Sequence, residues 1–381
     1  MDKSEFELLR GESIRVLTGN PMEIPCIETS DAEKLCKHPV VSVHMITYNH
    51  EPYIRQAIES VMMQKADFEF ELVIGEDCSQ DKTREICFEY QKKYPDKIRV
   101  LWWRENLHKV HHPAGANDAR TTAHCRGEFI AYCEGDDYWV DPCKLQKQVD
   151  IMRAHPNVGL CFGMMQIHYQ DTGRILIDND LKKKWPEGIV PGREMACSNY
   201  VIPTATVLVR KSSLDEACKK YELLSWQFRM GDFQRWKTLS LISDVYCHYD
   251  LVSAYRQIRA SAMHTNATHI YLDSGIVMYY LSKVSNVFPA SYEADALKRI
   301  GFHRMSIIAH TKEYVARKAL LESFDKLLVR YPALESGIGM IPRLLAVCGR
   351  GKLYNWYTRN RRRVLGRLQT LISHFKFLKG K

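Results

Sequence analysis

Phe129-Ile130-Ala131-Tyr132-Cys133 runs directly into Glu134-Gly135-Asp136-Asp137-Tyr138-Trp139. The first five residues are apolar and read as a buried strand. The next four carry three carboxylates. Carboxylates that close repel one another at neutral pH, so one stays protonated or a cation lies between them. A hard divalent ion, Mg2+ or Mn2+, held by one or two carboxylates and completed by substrate phosphates, resolves the conflict. A turn in which Asp136 or Asp137 caps a helix would account for either residue alone.

The flanking segments repeat one pattern. Val40-Val41-Ser42-Val43-His44-Met45-Ile46 is β-branched and apolar, a buried strand broken by Thr47-Tyr48-Asn49-His50. Pro52 suits the first turn of a helix to about Gln64, with Ile54, Ile58, Val61 and Met62 on one face. Phe70-Glu71-Leu72-Val73-Ile74 is a second strand, followed by Glu76-Asp77-Cys78-Ser79-Gln80-Asp81-Lys82-Thr83. Ser79 or Asp81 can cap the next helix, to about Tyr94. Ile98 to Trp103 is a third strand, and a helix from about Ala114 to Cys125 leads to the carboxylate strand. Lys144 to His155 reads as a helix and Val158 to Phe162 as a strand. Alternation of this kind gives βαβ units and a mostly parallel sheet flanked by helices. Ligands of such sheets bind beyond the carboxyl ends of the strands, where the polar segments after strands one, two and four converge.

Composition narrows the class. With 45% hydrophobic and 26% charged residues, the 381-residue chain has the balance of a soluble globular protein of one or two domains. No run of about 18 apolar residues suggests a membrane span, and the first residues do not read as a secretory signal. Twelve cysteines without a C-x-x-C pair read as reduced thiols in a cytoplasmic protein, which argues against zinc. The net charge of +9 is concentrated at one end: residues 336–381 hold eleven Lys or Arg and no acid. The expected organisation is an N-terminal extension over 1–38, a main domain over 39–285, and a helical C-terminal region over 286–381.

Each polar segment offers a chemistry. Tyr48 has a flat face for a base, while Thr47 and Asn49 offer hydrogen bonds. Glu76 and Asp77, acceptors when ionised, select donors such as a base N–H or ribose hydroxyls. Lys109 stands among Arg104, Asn106, His111, His112, Asn117 and Arg120, from which a cation could face a diphosphate. Turns and caps would explain any one of these residues separately.

Taken in order, Val41 to His50, Glu76 to Thr83, Gly127-Glu128-Phe129-Ile130 and Glu134 to Asp137 resemble the family-two inverting glycosyltransferases. That family shows a strand ending in T-Y-N, an acidic D-D-G-S-x-D-x-T loop and a D-x-D metal loop. The resemblance covers about residues 39–270 and implies the GT-A fold, a Rossmann-like α/β architecture, here with a helical C-terminal extension. It implies a hexosyltransferase-like enzyme of bacterial surface-polysaccharide type, with a nucleotide diphospho-sugar donor and a glycan or lipid-linked acceptor. Tyr48 would stack on the base, and Asp77 or Glu76 would contact it. Asp136 and Asp137 would hold Mn2+ or Mg2+, with Glu134 and His264 as further candidates. Asp232, in Met230-Gly231-Asp232-Phe233, would be the catalytic base, preceded by the strand-like Pro203 to Arg210. Tyr255-Arg256, with Ser261 and His264, resembles the segment that closes over the diphosphate. Glu76 and Glu134 stand where Asp is commoner in the family, and Cys78 where Gly is commoner. Gln234-Arg235-Trp236 resembles the Q-x-x-R-W box of processive synthases without its spacer, and reads as an amphipathic helix face. The competing expectation is a catalytically silent nucleotide-sugar or glycan-binding protein of the same fold.

At the C-terminus, Val364, Leu365, Leu368, Leu371, Ile372, Phe375 and Leu378 share a helical face, with Arg361, Arg362, Arg363, Arg367, Lys376 and Lys379 around it. A basic amphipathic helix over 361–381 would lie on an anionic membrane surface, here the inner face of the cytoplasmic membrane, or pack on the protein itself. Nucleic-acid binding is not expected, since the tail has few interleaved aromatics and the body is not basic.

Overall fold

The computed structural model describes residues 8–9, 25–107, 115–221, 231–258, 267–311 and 314–331. Contacts divide the chain into two compact units, one of residues 15–265 and one of residues 1–14 with 266–381.

The first unit is an α/β sheet built outward from β2 (Val41–Thr47). Beside it lie β3 (Phe70–Glu76) and β5 (Phe129–Tyr132), both parallel to it, and β4 (Ile98–Trp102) runs parallel to β3. The chain thus leaves β2 for β3 and β4 on one side, then crosses back to β5 on the other. A crevice opens at such a reversal, at the carboxyl end of the central strand. β1 (Ile27–Thr29) closes one edge against β4 in antiparallel register. Beyond β5 the sheet continues through β10 (Leu208–Arg210), β7 (Val158–Tyr169), β11 (Asp244–Gln257) and β6 (Tyr138–Trp139). β10 runs antiparallel to both neighbours, while β7 and β11 are parallel to each other. Short strands β8 (Ile175–Ile177) and β9 (Gly188–Val190) pair with β7 and β11.

Helices cover both faces. On one, α1 (Ile54–Met62) buries Ile54, Ala57, Ile58 and Val61, the spacing of a single stripe. Burying each of the larger aliphatics contributes about 1.5–3 kcal/mol, so Ile58→Ala would cost about 2–5 kcal/mol. α2 (Thr83–Lys93) and α4 (Lys144–Ala154) complete that layer around Val41, Val43 and Met45. The opposite core gathers Val73, Leu101, Ile130, Leu160 and Val209 with Trp236. α3 (Ala116–Ala123), α6 (Gly192–Cys197), α7 (Lys211–Lys220) and α8 (Gly231–Leu239) belong to this unit, as does the short α5 (Asp180–Lys184).

Expected and observed elements agree around β2, β3, β4 and β5. They differ further along. β7 runs to Tyr169 rather than Phe162, because its far half pairs with both β8 and β11. Of the strand expected over Pro203 to Arg210, only Leu208–Arg210 is extended; Thr204–Thr206 is a 3₁₀ turn. Gln234, Arg235 and Trp236 are all buried, so α8 has no solvated stripe at these positions.

The second unit is helical over its described residues: α9 (Ala267–Val284), α10 (Ala290–His310) and α11 (Tyr314–Arg330). α9 packs on α10, which groups residues 267–284 with this unit although the sequence reading placed its start at 286. Buried Arg304 donates to the carbonyl of Leu8 at 2.8 Å. No described helix is long and apolar enough to cross a membrane. The tail over 361–381 lies outside the described residues.

Candidate active site

Backbone hydrogen bonds carry the three polar segments past the ends of their strands and hold them side by side. Asp77 N donates to Thr47 O at 3.0 Å, extending the β2–β3 ladder by one step. Cys133 N donates to His44 O at 3.0 Å and Gly135 N to Ile46 O at 2.9 Å, which lays the carboxylate loop along β2. Gly135 is required there: a Cβ would stand 2.7 Å from Thr47 Oγ1 and 2.9 Å from His50 Nδ1. Thr47, Tyr48, Asp77 and the Glu134–Asp137 loop therefore share one rim, at the crevice that the strand order opens.

The loops after β2 and β3 are laced together. Asn49 N donates to Ser79 Oγ at 3.0 Å, and Gln80 N to Asn49 Oδ1 at 2.8 Å. His50 N reaches Thr83 Oγ1 at 2.8 Å, and Glu51 N reaches Asp81 Oδ2 at 3.0 Å. Asn49 (φ 54°) and Cys78 (φ 58°) both adopt left-handed backbone. Asn tolerates that conformation; for Cys it is a strain, and it explains why glycine suits position 78.

The two acids after β3 face different partners. Glu76 is fully enclosed; one oxygen pairs with Arg84 and the other accepts from Ser79 N at 2.6 Å. Arg84 also donates to Trp103 O at 3.0 Å and lies over the Trp102 ring. Glu76 thus fastens the loop from behind. Asp77, at the rim, accepts from Leu107 N through Oδ1 at 2.6 Å, and its carbonyl accepts from Asn106 at 2.6 Å.

In the carboxylate loop Asp137 is 2% exposed and accepts from Arg256 N through Oδ1 at 2.8 Å. The Arg256 guanidinium donates to Asp136 O at 2.7 Å, to Gln170 and Gln56 at 2.6 Å each, and lies between the Tyr53 and Tyr138 rings. Arg256, expected near the diphosphate, is committed to the back of the loop. Burial, then the charge of Asp136, push Asp137 well above the usual carboxylate range, with Arg256 opposing. Glu134 is pushed up too, by burial first and then by Asp136, Asp137 and Asp232. Asp136 is half-buried, and His50 Nε2 lies 3.9 Å from its Oδ2.

Asp232 opens α8. Its Oδ2 accepts from Thr204 Oγ1 at 2.7 Å and its Oδ1 from Phe233 N at 2.7 Å. Its charge reaches Glu134. One turn on, Arg235 pairs with Asp118, which also meets His44 Nε2 at 3.2 Å. That buried triad fixes α8 against β2 and α3.

Among the described residues no three His, Cys, Asp or Glu side chains are arranged to hold a metal ion. A hard divalent ion needs only one or two carboxylates besides phosphate oxygens, and Asp136 and Asp137 supply those. Buried Thr47 Oγ1 beside the loop has no partner, and neither has His50 Nδ1. The donor set is oxygen-rich, which fits such an ion. Lys109 and His264 lie outside the described residues, as do His111 and His112. His50 and Arg256 were named in the sequence without these contacts; a T-Y-N-H run gives no sign that the histidine meets Asp136.

Known proteins share sequence and fold with this chain. A family model described as Glycosyl transferase family 2 matches residues 42–216. An uncharacterized protein of Mycobacterium tuberculosis is 33% identical over 187 residues, 49% of this chain and 51% of the relative. The chain thus spans about half the length of that relative. S. aureus TarS 1–349 in complex with UDP-GlcNAc superposes with a TM-score of 0.58 at 16% identity, covering 85% of this chain and 91% of that one. The mannosyltransferase PcManGT of Pyrobaculum calidifontis, in complex with GDP-Man and Mn2+, gives 0.51 at 14% identity, covering 86% and 90%. At such identities the likeness is one of fold. The family match lies over the strands that build the rim, so residues 42–216 are similar to glycosyltransferase family 2 and the sheet around them has the GT-A fold.

Proposed function

We propose that the chain is a metal-dependent inverting glycosyltransferase that moves a sugar from a nucleotide diphospho-sugar to a hydroxyl of a glycan or lipid-linked acceptor. One observation carries the reading: backbone bonds lay the Glu134–Asp137 loop beside Thr47 and Asp77 at one rim, where its acids crowd together and push Glu134 and Asp137 upward. Perturbed acids in a crevice mark functional sites. The ligands of the two solved neighbours, UDP-GlcNAc and GDP-Man with Mn2+, belong to the class proposed here.

Tyr48 and Asp77 take the base, with Asn49 and Glu76 setting the loops that present them. Lys109, outside the described residues, is the cation proposed for the diphosphate on sequence grounds. Asp136 and Asp137 would hold the divalent ion, with Glu134 and His264 as further candidates. When bound, such an ion offsets negative charge on the departing diphosphate. Asp232, oriented by Thr204 and by the first turn of α8, removes the acceptor hydroxyl proton. The acceptor oxygen attacks the anomeric carbon from the side opposite the diphosphate, and the configuration inverts. Residues 361–381 attach the enzyme to an anionic membrane surface, which loss of vesicle co-sedimentation on their removal tests.

Asp232→Asn separates the enzyme from a silent binding protein. It should lower turnover by ~10²–10⁴ while leaving donor affinity near wild type by calorimetry. Unchanged transfer would refute the base assignment, and a product of retained configuration would refute inversion. Thermal stabilisation by UDP-, GDP- and dTDP-sugars, with and without Mn2+, identifies the donor.

A further inference from the structure

We infer that His50 is a positioning residue for the carboxylate loop: backed by Thr47, it holds Asp136 in the orientation that meets the donor's divalent ion. This rests on the reading that Asp136 takes part in binding that ion.

The backbone of His50 is fixed independently of its ring. Its N–H donates to Thr83 Oγ1 at 2.8 Å, and its carbonyl accepts from Tyr53 N at 2.8 Å and Ile54 N at 2.9 Å, at the start of α1. From that anchor the imidazole spans the gap between β2 and the carboxylate loop. Nε2 lies 3.9 Å from Asp136 Oδ2, about 1 Å beyond a hydrogen bond. Nδ1 is buried without a partner on the Gly135 side. Thr47, 2% exposed, directs an equally unpartnered Oγ1 to the same place: both atoms lie within 3 Å of where a Gly135 Cβ would be.

Buried polar atoms without partners are rare and call for an explanation, and here two of them converge on one glycine. An ionised carboxylate only accepts hydrogen bonds, so Nε2 must carry the proton to hold Asp136. Nδ1 is then an acceptor, and the Thr47 hydroxyl is the donor available to it. The chain Thr47 O–H to Nδ1, Nε2–H to Asp136, satisfies all three groups after a small closure. Gly135 allows it because no Cβ stands between them. Ligating carboxylates are commonly oriented by such hydrogen bonds, and losing an outer partner usually weakens metal binding 10–100-fold.

The test is Mn2+ binding by the full chain, measured by calorimetry with saturating UDP and, in parallel, GDP. His50→Ala should weaken Mn2+ about 10–100-fold without lowering the melting temperature, since only backbone atoms anchor the loop. His50→Gln, whose amide N–H can approach Asp136, should restore part of the loss. Thr47→Val should weaken binding less, and Thr47→Val/His50→Ala should be no weaker than His50→Ala alone. Wild-type Mn2+ affinity in His50→Ala, or additive losses in the double variant, would overturn the inference. Asp136→Asn separates the two levels. If it loses Mn2+ while His50→Ala does not, only the role of His50 fails. If it too binds Mn2+ normally, or if the wild type binds none with either nucleotide, the metal-loop reading fails and takes this inference with it.

Discussion

Asp118 and Glu134 are both enclosed carboxylates of the same α/β unit, and they are driven in opposite directions. Burial would raise Asp118, but Arg235 and His44 beside it overcome that and hold it well below the usual range. Glu134 has the same burial and only more acids around it, so it rises. Glu71 repeats the first case: fully buried, it accepts from Ser42 Oγ at 2.6 Å, Arg126 Nη2 at 2.6 Å and Arg99 Nη1 at 3.2 Å. Where this chain needs a buried acid for architecture, it supplies the cation from its own sequence. At the rim Arg256 opposes the rise of Asp137 without overcoming it, and the charges that act chiefly on Glu134 are those of other acids.

Removing the internal cation should make the first region behave like the second. Arg235→Ala leaves Asp118 buried with only His44 and should cost about 3–5 kcal/mol of stability, read from urea denaturation. A loss under about 1 kcal/mol would mean that the triad is solvated, and the contrast with the rim would dissolve.

Acid should erase the same contribution. A carboxylate whose folded value is depressed stabilises the fold above its unfolded value of about 3.9. That stability is lost as pH falls from about 4 toward the depressed value. Glu28, also lowered, chiefly by its hydrogen bond from Arg99, adds to the loss. Melting temperatures should therefore fall steeply below about pH 4, and the Arg235→Ala curve should be flatter there. Parallel curves would place the acid sensitivity elsewhere.

The rim should respond with the opposite sign. Glu134→Gln keeps the shape and removes one of the crowded charges, so metal-free protein should gain about 0.5–2 kcal/mol at neutral pH. A raised carboxylate holds its proton more tightly when folded, so the gain belongs above about pH 4.3 and vanishes below it. Destabilisation by Glu134→Gln at pH 7 would show that the charge is compensated within the chain.

Much of this contrast was legible beforehand, and the division has a physical cause. Apolar and β-branched runs over 40–46, 70–74, 98–103 and 129–133 belong to local sequence, and they place the polar loops at one rim. Whether an acid in those loops is paired depends on residues far away. His44 and Arg235 reach Asp118 from 74 and 117 positions off, and Arg256 reaches Asp137 from 119. Glu76 and Asp77 looked equivalent as neighbours. Strand alternation turned Glu76 inward to Arg84 and left Asp77 at the rim. Gln234-Arg235-Trp236 read as an amphipathic helix face, since pattern alone does not reveal that a charge has a buried partner.

Backbone strain follows the same division, and it gives the finest test. Among the described residues the non-glycine positions with left-handed backbone are Asn49 and Cys78, both in the interlaced rim loops. The paired region has none. Such strain persists where surrounding contacts over-determine the backbone, and it concentrates at functional sites. At Cys78 the conformation costs about 1–2 kcal/mol. Glycine removes that cost but adds about 0.5–1 kcal/mol of unfolded-chain entropy. Cys78→Gly should therefore stabilise the protein by at most about 1 kcal/mol, with the bond from Cys78 Sγ to Arg104 O, 3.4 Å long, as a small loss. If instead the variant melts earlier, that thiol contact outweighs the strain, and the rim would resemble the paired region in being held by its own side chains.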